Sequence, residues 1–298
     1  MNRIRRVGVV GCGVMGAGLA EVCARAGLDV LVAVSRPSRV GDGRRRLVRS
    51  LDTATRKGKL TEADRESALT RVTFTADLAD FADRQFVLEA GPELETVKQN
   101  VFSTLDKVVQ DEEAVLGSNT SSFPIIQLGR VTDRPGKVIG THFFNPVTVL
   151  PLVELVGSVL TEDDTTATTE AFVTEVLGKQ VVRTKDRSGF VVNALLIPYL
   201  LSAIRMYESG MASLADIDKA MKLGCAHPMG PFGLIDLIGL DIVMAISESL
   251  YREYHEPHYS PPPLLARMVS AGLLGKKSGR GFYEYAPANA ARAEKAAA

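Results

Sequence analysis

The residues best suited to chemistry lie in two stretches, "SNTSSFPI" and "IGTHFFNPVTVLPLVELV". His142 follows an apolar run and stands twelve positions before Glu154. A neutral imidazole takes and returns protons near neutral pH. A carboxylate that accepts from one ring nitrogen fixes the tautomer and stabilises the protonated ring. Histidines are more often structural than catalytic, so the spacing alone leaves this pair open between a catalytic dyad and a buried contact. His142 does, however, follow directly on a predicted strand, at the carboxyl end where α/β folds open their ligand crevices.

A second chemical stretch is "VGVVGCGVMGAGLA". Gly11, Gly13 and Gly16 follow a predicted strand and enter a predicted helix. Gly11 permits a tight turn, Gly13 lets backbone approach a pyrophosphate, and Gly16 allows close packing of helix and strand. The phosphates would sit at the helix N-terminus, where free N–H groups and the dipole favour anions. With Val14 and Met15 in the first helical turn, this segment predicts a dinucleotide site. The other reading is a tight turn without a ligand.

Elements that position these residues follow from the pattern. Strands are predicted at Arg6–Val10, Val30–Val34, Phe86–Ala90, Ala114–Ser118 and Val138–Thr141, apolar on consecutive positions as buried parallel strands are. Pro151–Val156 and Gln180–Thr184 read as further strands. The β-α-β order predicts a doubly wound α/β sheet of Rossmann type. After Lys185 the pattern turns helical. Phe190–Glu208 has an apolar stripe, Gly210 suits its end, and Ser213 with Asp216 resembles a capping box. Pro231 and Pro263 suit the first turns of a third and a fourth helix. The expected domains are 1–185, with a helical arm near 43–70, and an all-α 186–298. The alanine-rich end after Tyr285 reads as a frayed tail.

In order, "GCGVMG", "SNTSS", "HFFNP", "LVELV", "GFVVNALLIP", "DIDKAMKLG", "HPMGP", "IGLD" and "GKKSGRGFYEY" resemble the 3-hydroxyacyl-CoA dehydrogenase family, especially its short bacterial 3-hydroxybutyryl-CoA dehydrogenases. The resemblance runs from about residue 4 to 285. It implies reversible hydride transfer between C3 of an (S)-3-hydroxyacyl thioester and a nicotinamide cofactor, in a cleft between the domains. His142 matches the family's general base and acid, and Glu154 its orienting carboxylate. Ser121 and Asn193 match residues that hydrogen-bond the substrate's C3 oxygen. Glu93, Lys98 and Asn119 correspond to cofactor-side positions, and Ser50 and Lys57 to CoA contacts. A homodimer through the C-terminal domain is also implied. Two departures stand out: Gly91–Pro92 replaces a commoner apolar pair, and Ala194 stands where an arginine commonly follows the asparagine.

Residues 36 to 59 hold nine basic side chains against Asp42 and Asp52. Such a face suits the phosphates of an acyl-CoA, or the acidic surface of an acyl carrier protein, or is a solvated helix with incidental charge. Without interleaved aromatics or a reader motif, it does not point to nucleic acid. "VAVSRPSR" bears on the cofactor. By alignment with the family, Val34 takes the place of the acid that grips both ribose hydroxyls of NAD. Ser35 and Arg36 can hold an extra phosphate, with help from Arg39, so NADP is expected over NAD. In the other reading, Arg36 stacks on adenine and NAD binds less tightly.

The remaining composition is neutral on partners, with 35 basic and 35 acidic residues. Cys12, Cys23 and Cys225 form no metal spacing and suggest no disulfide framework, so a cytoplasmic location is expected and no metal. No apolar run reaches membrane-spanning length. Two other readings remain: a free hydroxy-acid dehydrogenase, and a nucleotide-binding sensor without catalysis. The set Ser121, His142, Glu154 and Asn193 weighs against the sensor.

Overall fold

The computed structural model describes residues 4–285. The chain forms two compact units that divide between Phe190 and Val191. The division falls beyond the expected residue 185 because the next few residues are tied back to the first unit. The Asp186 carboxylate accepts from the backbone N–H groups of Ile125 and Ile126, at 2.9 and 2.8 Å.

The first unit runs β1 (Arg6–Val10), α1 (Val14–Arg25), β2 (Asp29–Ala33), α2 (Val40–Arg56), α3 (Glu62–Thr70) and β3 (Val72–Thr75). It continues with β4 (Phe86–Glu89), α4 (Glu95–Val108), β5 (Val115–Ser118), α5 (Ile125–Gly129) and β6 (Val138–Phe143). Next come β7 (Leu152–Gly157), α6 (Asp163–Ala171) and β8 (Gln180–Lys185). The sheet order is β3-β2-β1-β4-β5-β6-β7-β8. The six strands from β3 to β6 pair in parallel, and their order has the dinucleotide-binding topology. β7 then runs antiparallel to β6, and β8 parallel to β7.

Both faces of the sheet are covered. In β4, Phe86 and Leu88 join one apolar cluster while Val87 joins the other, as alternation along a strand requires. All seven expected strands are present, with ends shifted by two residues or fewer. β3 is an addition: its four residues, VTFT, form a half-exposed edge strand. The expected helical arm is α2 and α3, which pack on α1.

The second unit contains α7 (Val192–Glu208), α8 (Leu214–Gly224), α9 (Pro231–Ile238), α10 (Leu240–Tyr254) and α11 (Pro263–Ser270). Pro231 and Pro263 do open helices, but α10 stands between them, so Pro263 opens the fifth helix of this unit and not the fourth. Gly210 has φ 73, and the Ser213 hydroxyl accepts from the Asp216 N–H at 3.2 Å. Among the described residues no helix is long and apolar enough to cross a membrane. The tail expected after Tyr285 lies outside the described residues.

Candidate active site

The site grows from the carboxyl ends of β1, β2, β4, β5 and β6. At the first, Gly11 has φ 95, and its N–H donates to the Ala33 carbonyl at 2.8 Å. A Cβ there would press on the Ala90 carbonyl, and one at Gly16 would collide with the Gly11 carbonyl. The Gly16 constraint is therefore closure of the turn itself, more than packing of helix on strand. Gly13 differs: a Cβ on it would meet open space. Gly13 precedes α1, and no side chain caps that helix start among the described residues. An open backbone approach beside uncapped N–H groups suits a pyrophosphate, so these residues fit a dinucleotide. Val14 is 65% exposed in the first turn, and Met15 packs against the core.

A cavity of about 590 Å³ opens beside this turn. Gly11, Gly13, Val34, Ser35, Arg36 and Arg39 line it, together with Arg46, Gly91 and Pro92. The structure thus brings the glycine turn and the stretch after β2 to one cavity. It also adds Arg46, whose guanidinium donates to the Cys12 carbonyl, and Asp42, paired with Arg39 and Arg45. Burial raises the Cys12 thiol pKa, and the Arg46 charge offsets part of that rise. Ser50 and Lys57 lie farther along α2 and at its C-terminal cap, and they do not line this cavity.

His142 and Glu154 face each other across the antiparallel β6–β7 pair. His142 Nδ1 lies 2.7 Å from Glu154 Oε2. Glu154 is fully buried and His142 is 7% exposed. The Phe144 and Phe190 rings lie 4.5 and 5.5 Å from the imidazole, centroid to centroid. Phe190 has φ 48, uncommon for a bulky side chain, and sequence reasoning missed it. The glycine of "GFVVN" held a hint: Gly189 also has positive φ, which glycine favours.

Between these two centres lies a polar cluster. Lys98 is 1% exposed and its ammonium contacts Glu89 and Glu93 at 2.9 and 2.8 Å. Glu93 also accepts from the Thr120 hydroxyl and, at 3.1 Å, from the Ser121 N–H. The Asn119 Oδ1 accepts from the Phe143 N–H at 2.9 Å, tying the ends of β5 and β6. Asn193 is buried in the first turn of α7, in the second unit. Sequence reasoning missed Glu89, Ser118 and Thr120. A lone acid ending the apolar strand FVLE was the available signal.

In the second unit, two buried aspartates organise the turns around "HPMGP" and "GRGFYEY". Asp218 accepts from the Phe232 and Gly233 N–H groups at the start of α9, at 2.8 and 3.1 Å. The Tyr283 hydroxyl donates to the same carboxylate at 3.0 Å. Burial first, and this bond second, push the Tyr283 phenol well above its ordinary range.

Comparison with known proteins agrees with this architecture. The NAD binding domain of 3-hydroxyacyl-CoA dehydrogenase matches residues 6–187, and the C-terminal domain of that family matches residues 189–285. A 3-hydroxybutyryl-CoA dehydrogenase of Mycobacterium tuberculosis is 58% identical over 284 residues, 95% of this chain and 99% of the relative. The crystal structure of FadB2 from M. tuberculosis has a TM-score of 0.94 at 57% identity, covering 96% of this chain and 100% of that one. The (S)-3-hydroxybutyryl-CoA dehydrogenase PaaH1 from Ralstonia eutropha has a TM-score of 0.90 at 43% identity, covering 96% and 100%. Matched along both of its units, the chain is an oxidoreductase of the 3-hydroxyacyl-CoA dehydrogenase family.

Proposed function

We propose that the protein oxidises and re-forms short (S)-3-hydroxyacyl-CoA thioesters, 3-hydroxybutyryl-CoA foremost, with NADP preferred over NAD. The observation that carries the reaction is the His142–Glu154 contact of 2.7 Å at the carboxyl edge of the sheet. The dinucleotide, when bound, supplies the acceptor or donor of the hydride exchanged with C3. The protein's own part is the proton. In oxidation, His142 Nε2 takes the proton of the C3 hydroxyl while Nδ1–H donates to Glu154, whose charge stabilises the imidazolium. In reduction the same nitrogen returns it. Ser121 and Asn193 orient the C3 oxygen and stabilise its developing charge. Gly11, Gly13, Val14, Met15 and Gly16 hold the pyrophosphate, while Glu93, Lys98 and Asn119 shape the nicotinamide side.

Glu154→Gln removes the stabilising charge but keeps the size. It is expected to lower kcat by about 10- to 100-fold with a smaller change in KM. A KM rise with unchanged kcat would remove Glu154 from this role.

Cofactor choice rests on Ser35 and Arg36, both exposed at the mouth of the 590 Å³ cavity. Val34 leaves no acid at the end of β2 to repel a 2′-phosphate. Arg36→Ala is expected to weaken NADPH binding by about tenfold or more and to change NADH binding little, because a charge-assisted pair to phosphate is lost. Titration of both reduced cofactors checks this, and unchanged NADPH affinity would favour NAD.

The deciding experiment for function is a steady-state matrix. Acetoacetyl-CoA, longer 3-oxoacyl-CoA analogues and a carrier-bound analogue would each be paired with NADH and NADPH. A carrier-protein substrate has one supporting feature, the exposed arginines of α2 at Arg44, Arg45 and Arg49. Some of that charge is spent locally, since Arg39 and Arg45 pair with Asp42. On this ground CoA is the first reading, with Ser50 and Lys57 as its contacts. Homodimerisation through the second unit is supported by exposed apolar side chains there, with Leu195 at 72% and Leu223 at 76% exposure.

A further inference from the structure

Glu89 takes no part in the proton path, yet it is among the most elaborately held side chains of the first unit. It ends β4 and is 1% exposed. One carboxylate oxygen accepts from the Gly91 N–H at 2.6 Å, the other from the Ser118 hydroxyl at 2.7 Å. Lys98 Nζ donates to both, at 3.1 and 2.9 Å. The same ammonium lies 2.8 Å from Glu93, which is 40% exposed. Two carboxylates therefore share one ammonium, a formal excess of one negative charge in a largely buried place.

Holding the turns does not require that excess. A neutral amide at residue 89 would accept from the Gly91 N–H with its carbonyl and donate its NH2 to the Ser118 oxygen without it. Burying net charge is costly unless something offsets it. The sheet order indicates what does. With the pyrophosphate at the β1–α1 turn and the adenosine cavity on the β2 side, β4 and β5 lie on the opposite side of β1. The nicotinamide half of a bound dinucleotide would therefore lie on the side of β4 and β5, toward His142 on β6. The oxidised nicotinamide ring carries a positive charge and the reduced ring does not, while the rest of the molecule is the same in both. A fixed negative excess beneath that ring distinguishes the two forms.

We propose that Glu89 is a positioning residue that, through Lys98 and Glu93, biases the site toward the oxidised dinucleotide and holds the 90–94 and 118–121 turns together. The inference rests on the dinucleotide reading above. It implies that the protein's own electrostatics favour holding the product of substrate reduction, or the reactant of substrate oxidation, relative to a site of neutral character.

The test is the dissociation constant for oxidised and reduced dinucleotide, measured by calorimetry on the full chain, expressed as the ratio of the two. In Glu89→Gln the ratio of oxidised to reduced is expected to rise about tenfold, the scale of one charge acting across a partly shielded site. Glu93→Gln removes the same charge at a more exposed position and should move the ratio the same way, by less. It decides the matter alone if Glu89→Gln does not fold. Ser118→Ala keeps the charge and should leave the ratio within about twofold, even where both affinities fall. A purely structural Glu89 would weaken both forms together, and an unchanged ratio in the glutamine variants overturns the proposal. If the unaltered protein binds both forms in that case, only this inference fails. If it binds neither, the dinucleotide reading fails with it.

Discussion

Replacing His142 with glutamine is expected to lower kcat by about 10²- to 10⁴-fold while leaving dinucleotide affinity within about twofold. Glutamine nearly matches the imidazole in size but cannot take the C3 hydroxyl proton. It also leaves the buried Glu154 without the ring that lies 2.7 Å away. The cavity lined by Gly11, Ser35 and Arg36 does not include His142, so binding and turnover should separate. Steady-state rates with acetoacetyl-CoA, alongside calorimetric titration of the cofactor, measure both. Turnover near normal would remove His142 from the mechanism, and the assignment of Glu154 with it.

Asp236→Ala is expected to cost about 3–5 kcal/mol of stability in the second unit. Asp236 is 1% exposed in α9. It accepts from the Phe282 and Tyr283 N–H groups at 2.9 and 2.8 Å, and from the Tyr285 hydroxyl at 2.9 Å. Alanine strands all three donors. Gly275 and Gly281 close tightly on the same aspartate, where any Cβ would collide, so the segment has little room to rearrange. Thermal or denaturant unfolding reads the loss, and Asp236→Asn, which keeps an acceptor, should lose less. The phenol supplies a second signal. Burial, and then the bond to Asp236, hold the Tyr285 pKa well above its ordinary range. A raised folded-state pKa stabilises the fold below the unfolded value of about 10 and loses that contribution as pH rises through the folded one. Stability should therefore fall in alkali, and less steeply in the alanine variant. Equal slopes would mean that the phenol is not held by Asp236.

The order of strands and the place of His142 were legible because both rest on local signals. Consecutive apolar residues mark buried strands, and a glycine turn at the first strand end marks the phosphate side. β3 was not legible: VTFT is short, half polar and half exposed at the sheet edge, so it lacks the apolar run of its neighbours. α10 was hidden for another reason. Gly239, with φ 107, joins it to α9 with no loop and no side-chain cap, so neither proline nor capping residue announces its start. The Glu89 cluster eluded reading because its members lie 9 and 29 positions apart and meet only when three elements pack. Lys98 was expected on the cofactor side, and the structure shows its ammonium engaged by two carboxylates, Glu89 and Glu93.

The reversal of β7 has a consequence in time as well as space. In the antiparallel register His142 stands opposite Glu154, so residues twelve positions apart meet inside the sheet ladder and not on a loop. A slip of β7 by one residue would turn Glu154 to the opposite face from His142. The backbone positions that bring the two side chains together change only when the ladder itself opens, an event drawn from the slow, high-energy end of the protein's fluctuations. The pair is therefore in place before any ligand arrives, and no rearrangement of the backbone is needed to build it.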